Sequence, residues 1–180
     1  MRQVAIIGLA DASHPRGRVP HCETWGLPWD GYAPHYDRLF EMHDRALWDL
    51  RGPRYLQRLQ EFDALPIYMQ AHQPDVPAST IYPLARVSAL VGDYYGSSIA
   101  YMLALAILEK VERIGIWGVE LDPGTIFDHE RPNLEYLIGF ARGRGIAVDI
   151  AQPSALLKHR PENEFLDRKV TYPTRYGWLA

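Results

Sequence analysis

The sequence predicts an α/β fold, a Rossmann-like three-layer sandwich built on a mostly parallel sheet. Three observations carry that prediction. A short apolar run, Val4-Ala5-Ile6-Ile7, closes on Gly8 near the start of the chain. A capped helical pattern opening at Ser97 or Ser98 feeds straight into an apolar strand, Arg113 to Trp117. The same helix-to-strand step recurs between Pro132 and Ile150. Strands that alternate with helices imply parallel pairing and right-handed crossovers.

Taken in order, Val4 to Gly8 is a continuous β-branched run rather than an alternating one, the pattern of a strand buried on both faces. Leu9 to Pro20 is a loop. Thr24 and Trp25 favour a second extended piece from Cys22 to Gly26, ended by Gly26, Pro28 and Gly31. Asp37 to Leu47 places Leu39, Phe40, His43 and Leu47 at helical spacing, and Arg54 to Phe62 does the same with Tyr55, Leu59 and Phe62. Both are therefore expected as amphipathic helices, the second started by Pro53. Leu65 to Gln70 resembles a strand, and Gln73 to Pro83, with three prolines, a loop. Ile99, Met102, Leu103, Ala106 and Ile107 define the strongest helix, and Arg113 to Trp117 is the strand that follows it. Pro132 opens a further helix carrying Leu134, Leu137, Ile138 and Ala141. Gly143 and Gly145 stop it, and Ile146 to Ile150 is the last strand. A short turn over Ala155 to Lys158 begins the tail. The expected division is one nucleotide-binding domain over residues 1–157 and a C-terminal tail over 158–180.

Composition narrows the function. A chain of 180 residues, 47% hydrophobic and 23% charged, is ordinary globular material, enough for one core and unlike a disordered or fibrous sequence. A formal charge of −3 gives no general attraction to polyanions, so no general nucleic-acid binding is expected. The single Cys22 makes neither an internal disulfide nor a cysteine-rich zinc site. With no signal-like or membrane-length apolar run, the expected location is cytoplasmic, the host cytoplasm if the gene is a phage's, with no membrane partner.

In an open parallel sheet, ligands sit beyond the carboxyl ends of the strands near the switch in strand order. Three loops are expected there. The first is Gly8-Leu9-Ala10-Asp11-Ala12-Ser13-His14, whose small residues let backbone N–H groups approach an anion, although neither GxGxxG nor GxxxxGK[ST] is present. The second is Tyr94-Tyr95-Gly96-Ser97-Ser98, a helix start whose free N–H groups and hydroxyls suit a phosphate, flanked by tyrosines able to stack on a base. On capping grounds alone the serines serve equally as caps. The third is Gly118-Val119-Glu120-Leu121-Asp122, whose carboxylates can hold hydroxyls, a cation or a proton. His129-Glu130-Arg131 folds toward the same edge, where the histidine can move a proton and Arg131 can grip a phosphate. His14, His21, His35, His43 and His72 are scattered without zinc-ligand spacing and read as surface or packing residues. Trp25, Trp29 and Trp48 are chiefly core candidates by type.

The order of small-residue loop, Glu23-Thr24-Trp25-Gly26-Leu27 strand, Tyr-Gly-Ser-Ser helix start and Arg-Ile-Gly-Ile-Trp-Gly-Val-Glu resembles a group of small phage-encoded Rossmann-like proteins. Asp37-Arg38-Leu39-Phe40-Glu41-Met42-His43 and Arg131-Pro132-Asn133-Leu134-Glu135-Tyr136 match two further signatures of that group. More distantly the layout is similar to the pterin diphosphokinase-like family and to single-domain bacterial sialyltransferases. The resemblance implies that Gly96, Ser97 and Ser98 contact a phosphate or sugar and that Gly118 and Glu120 form the adjoining wall. The chain departs from the sialyltransferase pattern in having Ala10-Asp11-Ala12-Ser13 for an Asn-Gly-Pro-Ser type loop, and Pro28 near an expected asparagine.

The expectation is a glycosyl or phosphoryl transferase that binds a nucleotide or nucleotide-sugar. Glu120 or His129 would deprotonate the acceptor, Arg131, with Arg86 and Arg16 as alternatives, would neutralise the leaving phosphate, and Gly8, Ala10, Asp11, Ser13, Trp25, Tyr94, Tyr95, Gly96, Ser97, Ser98 and Gly118 would line the ligand site. The alternative is a noncatalytic protein that sequesters a nucleotide or acts on a phage or host partner. No metal ligand is assigned, a divalent metal is left open, and a homo-oligomer is compatible with the sequence.

Overall fold

The Val4 to Ile7 run lies at the centre of the sheet, and its four side chains are fully buried. The structure, a computed structural model, describes residues 2–121 and 128–158. Its strands are β1 (Gln3–Ile7), β2 (Glu23–Gly26), β3 (Arg38–Glu41), β4 (Ile67–Met69), β5 (Ser79–Ile81), β6 (Arg113–Trp117) and β7 (Ala147–Ile150). They form one sheet in the order β5-β4-β3-β2-β1-β6-β7, and every pairing in it is parallel.

Alternation along β1 feeds two cores. Ala5 and Ile7 face α1 (Arg45–Arg51) and α2 (Pro53–Gln60), where Leu39, Trp48, Tyr55, Leu59 and Ile67 gather. Val4 and Ile6 face α3 (Leu84–Val91), α4 (Ser98–Leu108) and α5 (Arg131–Gly143), with Trp25, Phe40, Leu103, Ile107, Ile114 and Leu137. Eight residues of α4 are buried, and withdrawing its five large apolar side chains from water contributes on the order of 10 kcal/mol. No helix among the described residues is long and apolar enough to cross a membrane.

One expected helix is corrected. Residues 38–41 are strand β3, and the helix begins only at Arg45. Leu39 points to one core and Phe40 and Met42 to the other. A strand buried on both faces therefore shows apolar residues at 39, 40 and 42, which imitates a helical period. The loop expected over Gln73 to Pro83 contains the short edge strand β5, and α3 follows it without having been foreseen. Asp122 and, apart from Lys158, the tail lie outside the described residues.

Candidate functional site

After β5 the chain returns across the sheet to lay β6 beside β1, so the direction of strand addition reverses between these two strands. A crevice would be expected at that point. Instead the two glycine loops are pressed together. The Gly8 N–H donates to the Trp117 carbonyl at 2.8 Å, and the Ala10 N–H to that of Gly118 at 2.9 Å. A Cβ on Gly8 would stand 2.3 Å from the Gly118 oxygen. Gly118 itself has φ +63, a left-handed backbone that favours glycine.

Ser13 completes the closure: its Oγ accepts from the Gly118 N–H at 2.9 Å, and its own N–H donates to Glu120 Oε1, also at 2.9 Å. Glu120 thus clips the first and third loops together. Asp11 is turned outward and pairs with Arg16 at 3.1 Å. Trp25 is fully buried against Phe40 and beneath the Arg38 guanidinium, which places it in the core and out of reach of a ligand. That is a correction to the expected ligand set: β2 is an interior strand buried on both faces, so no side chain midway along it reaches the edge.

The start of α4 is more open. Ser97 is the N-cap, and its hydroxyl accepts from the Ala100 N–H at 3.4 Å. Gly96 lies directly against Asn133 of α5, since a Cβ there would be 2.2 Å from Nδ2. Asn133 is only 3% exposed, and its Oδ1 has no hydrogen-bond partner among the described residues. A buried acceptor left without a donor costs about 1–3 kcal/mol, so it calls for an occupant.

Glu130 stands beside this helix start. Burial pushes its carboxyl up from the usual range, while His129, a hydrogen bond from Ser97 and the field of His43 act in the opposite sense. His129 is exposed. Tyr94 is half exposed and meets Tyr136 edge-on, whereas Tyr95 is stacked on Tyr101 with 4.5 Å between centroids. Arg131 is largely committed elsewhere: its Nε donates to Glu135 at 2.7 Å, and an Nη donates to the Lys158 carbonyl.

Two histidines set aside in the sequence sit on carboxylates. His14 Nε2 is 2.7 Å from Asp30 Oδ2, and its Nδ1 accepts from the Arg16 N–H at 2.9 Å. Nδ1 is therefore the acceptor and Nε2 carries the proton: Nδ1 holds the loop after β1 to itself, and Nε2 joins it to the loop after β2. His43 differs. Its Nδ1 is 2.5 Å from Glu41 Oε1, and its Nε2 makes no hydrogen bond to the described residues. Glu41 closes β3 and His43 sits in the bend two residues on, where its backbone N–H also donates to Glu41 Oε1 at 2.9 Å. A helix over Asp37 to Leu47 would contain no such bend.

A groove of about 520 Å³, lined by residues including Lys110, Arg113, Arg144 and Ala147, opens at the opposite, N-terminal ends of β6 and β7. It is separate from the α4 start.

No family model matches this chain, and no curated protein matches it. Solved structures do. The sialyltransferase CstII from Campylobacter jejuni in complex with cytidine-5'-monophosphate aligns with a TM-score of 0.55 and 15% identity, over 87% of this chain and 82% of that one. The same enzyme with CMP-3FNeuAc gives 0.55 and 13%, over 85% and 81%. An α-2,3-sialyltransferase from Campylobacter jejuni in apo form gives 0.51 and 13%, over 86% and 77%. At these identities the likeness is one of fold, and it agrees with the sialyltransferase-like part of the sequence resemblance.

Proposed function

We propose that this protein binds a nucleotide-sugar at the carboxyl edge of its sheet and transfers the glycosyl group to a hydroxyl acceptor. The observation that carries this reading is the start of α4, where Gly96, next to the capping Ser97, lies against the buried Asn133, whose Oδ1 has no hydrogen-bond partner among the described residues. Free N–H groups and the positive end of the helix favour an anion, and a lone buried carbonyl oxygen favours a hydroxyl or amino donor beside it. A nucleotide-sugar offers both kinds of group. Tyr94, half exposed, is placed to stack on its base or sugar. The fold shared with CMP-bound sialyltransferases supports the same class of ligand.

In this reading Glu120 is a wall residue rather than a base, because its carboxylate is held by Ser13. The phage association implied by the sequence resemblance is compatible with this chemistry and adds nothing to the site.

The test is titration calorimetry with CMP. Wild-type protein should bind, and the double change Ser97→Ala, Ser98→Ala should weaken binding by about 10- to 100-fold, the effect of losing hydrogen bonds to a charged group. Unchanged affinity in the double variant would remove the ligand from this helix start.

A further inference from the structure

The Glu41 side chain is 0% exposed although it lies in a strand whose face is otherwise apolar. Such a carboxylate is tolerated only when its oxygens are fully engaged. Oε1 accepts from the His43 backbone N–H at 2.9 Å and faces His43 Nδ1 at 2.5 Å. Oε2 accepts from the Tyr55 hydroxyl at 2.6 Å, and that hydroxyl accepts in turn from Arg51 Nη1 at 2.9 Å. Burial, then the Glu41 carboxylate, push the Tyr55 phenol far above its ordinary value, so Tyr55 stays the donor in this chain.

The arrangement joins α1, α2 and β3 and ends on one imidazole. That ring is 39% exposed at the carboxyl end of β3, the end of the parallel sheet at which α4 starts, since the far end of α4 meets the first residue of β3 through Glu109 and Arg38. An Nε2 without a hydrogen bond among the described residues, a partner carboxylate on Nδ1 and a further group holding that carboxylate are the parts of an oriented proton acceptor.

We propose that His43 is the catalytic base of this site and that Glu41 is the positioning residue that holds its ring. The inference rests on the nucleotide-sugar reading given above. In the step, His43 Nε2 takes the proton of the acceptor hydroxyl as that oxygen bonds to the anomeric carbon of the donor. The bond from that carbon to the phosphate oxygen breaks, and its electron pair leaves with the nucleoside monophosphate. Glu41, on the far side of the ring, stabilises the imidazolium that forms. The charged and titratable groups facing the dyad are Arg51 from α1, Tyr55 from α2 and Glu130 from the turn before α5.

The experiment follows release of CMP from CMP-sialic acid, with and without a sugar acceptor, in wild type, His43→Asn, Glu41→Gln and the surface control His35→Asn. Alongside it run CMP calorimetry and ¹⁵N imidazole spectra. The expected result is a fall in kcat of about 10²- to 10⁴-fold for His43→Asn, the usual contribution of a general base. Glu41→Gln should lose about 10- to 100-fold in kcat with little change in KM, the signature of a group that acts only as the transition state forms. CMP affinity and His35→Asn turnover should match wild type. Equal turnover in His43→Asn would overturn the base while leaving the nucleotide reading intact. Failure of the wild type to bind CMP would overturn that reading, and the dyad would then be judged by its spectrum. An Nδ1-protonated ring with a bare Nε2 in wild type, lost in Glu41→Gln, supports it, and a proton on Nε2 in both overturns it.

Discussion

Gly8 and Gly139 are the same residue type under opposite constraints. A Cβ on Gly8 would be 2.3 Å from the Gly118 carbonyl oxygen and 2.8 Å from Val119 Cγ2. The first is backbone held in a ladder of hydrogen bonds, so it cannot turn aside as a side chain would. Gly139 lies inside α5 with nothing within 4 Å of its Cβ position. Gly8→Ala should therefore destabilise by about 2–3 kcal/mol, in the upper part of the usual overpacking range. Gly139→Ala should stabilise by up to about 1 kcal/mol, the ordinary helix-propensity gain. Urea titrations check both: the midpoints should move in opposite directions with the slopes unchanged. A neutral Gly8→Ala would mean that the β1 and β6 loops are free to separate, and the sealed switch point would then be wrong. Gly8, Ser13, Gly118 and Glu120 were recognisable in the sequence as belonging to one edge. That they close on each other was not, because closure depends on which strand neighbours β1, and no local pattern encodes that.

At the scale of single elements, Ser97 caps α4 and, in the proposed function, also contacts the ligand, and substitutions there can report on each role. As N-cap its hydroxyl satisfies the Ala100 N–H, and Ser97→Ala should cost about 1 kcal/mol of stability. Ser97→Asp keeps a capping oxygen and adds a charge favourable to the helix dipole, so stability should stay within about 0.5 kcal/mol of wild type. The same charge repels a phosphate at the helix start. Ser97→Asp should therefore keep its melting temperature and lose CMP binding, read by thermal melts and calorimetry on one sample. Loss of stability with binding retained would mean that the helix start serves as a cap alone. The helix itself was legible because its apolar pattern is long and capped, as were α2, α5, β1, β2, β4, β6 and β7. β3 and β5 were not. β5 has three residues, only one of them apolar, and β3 hides its alternation because both of its faces are buried. The Glu41–His43 pairing was not legible either, because it depends on β3 ending at Glu41 and on the bend that turns His43 back onto that carboxylate.

Across the whole molecule, the candidate site occupies one end of the sheet and a charge network holds the other. Arg38, with its side chain 17% exposed, reaches Glu23 at 2.6 Å and Glu109 at 2.7 Å, while Arg2 bonds to the same two carboxylates. The network ties β2 and β3 to the C-terminal end of α4, beneath a guanidinium that also lies 4.7 Å above the Trp25 ring. Burial alone pushes the Glu23 carboxyl up, but hydrogen bonds and the charges of Arg2 and Arg38 outweigh it, and the net shift is downward. A carboxyl lowered on folding contributes stability that is present above its unfolded pKa and lost as pH falls through its folded value. Glu130 is shifted upward, so its contribution has the opposite sign and is lost as pH rises through its folded value. Arg38→Met keeps much of the apolar stem and removes the charge. It should cost about 1–3 kcal/mol at pH 7, between the values for exposed and buried pairs. The difference from wild type should shrink at pH 3, toward which pH falls through the lowered folded value of Glu23. Denaturant titrations at the two pH values measure it, and CMP affinity at pH 7 should not change, since the network and the α4 start lie at opposite ends of the strands. A cost that is equal at both pH values would assign the role of Arg38 to its stacking on Trp25 rather than to its charge. A simultaneous loss of CMP binding would show that the two ends of the sheet are coupled, through α4 or through β3, each of which reaches from the network to the opposite edge.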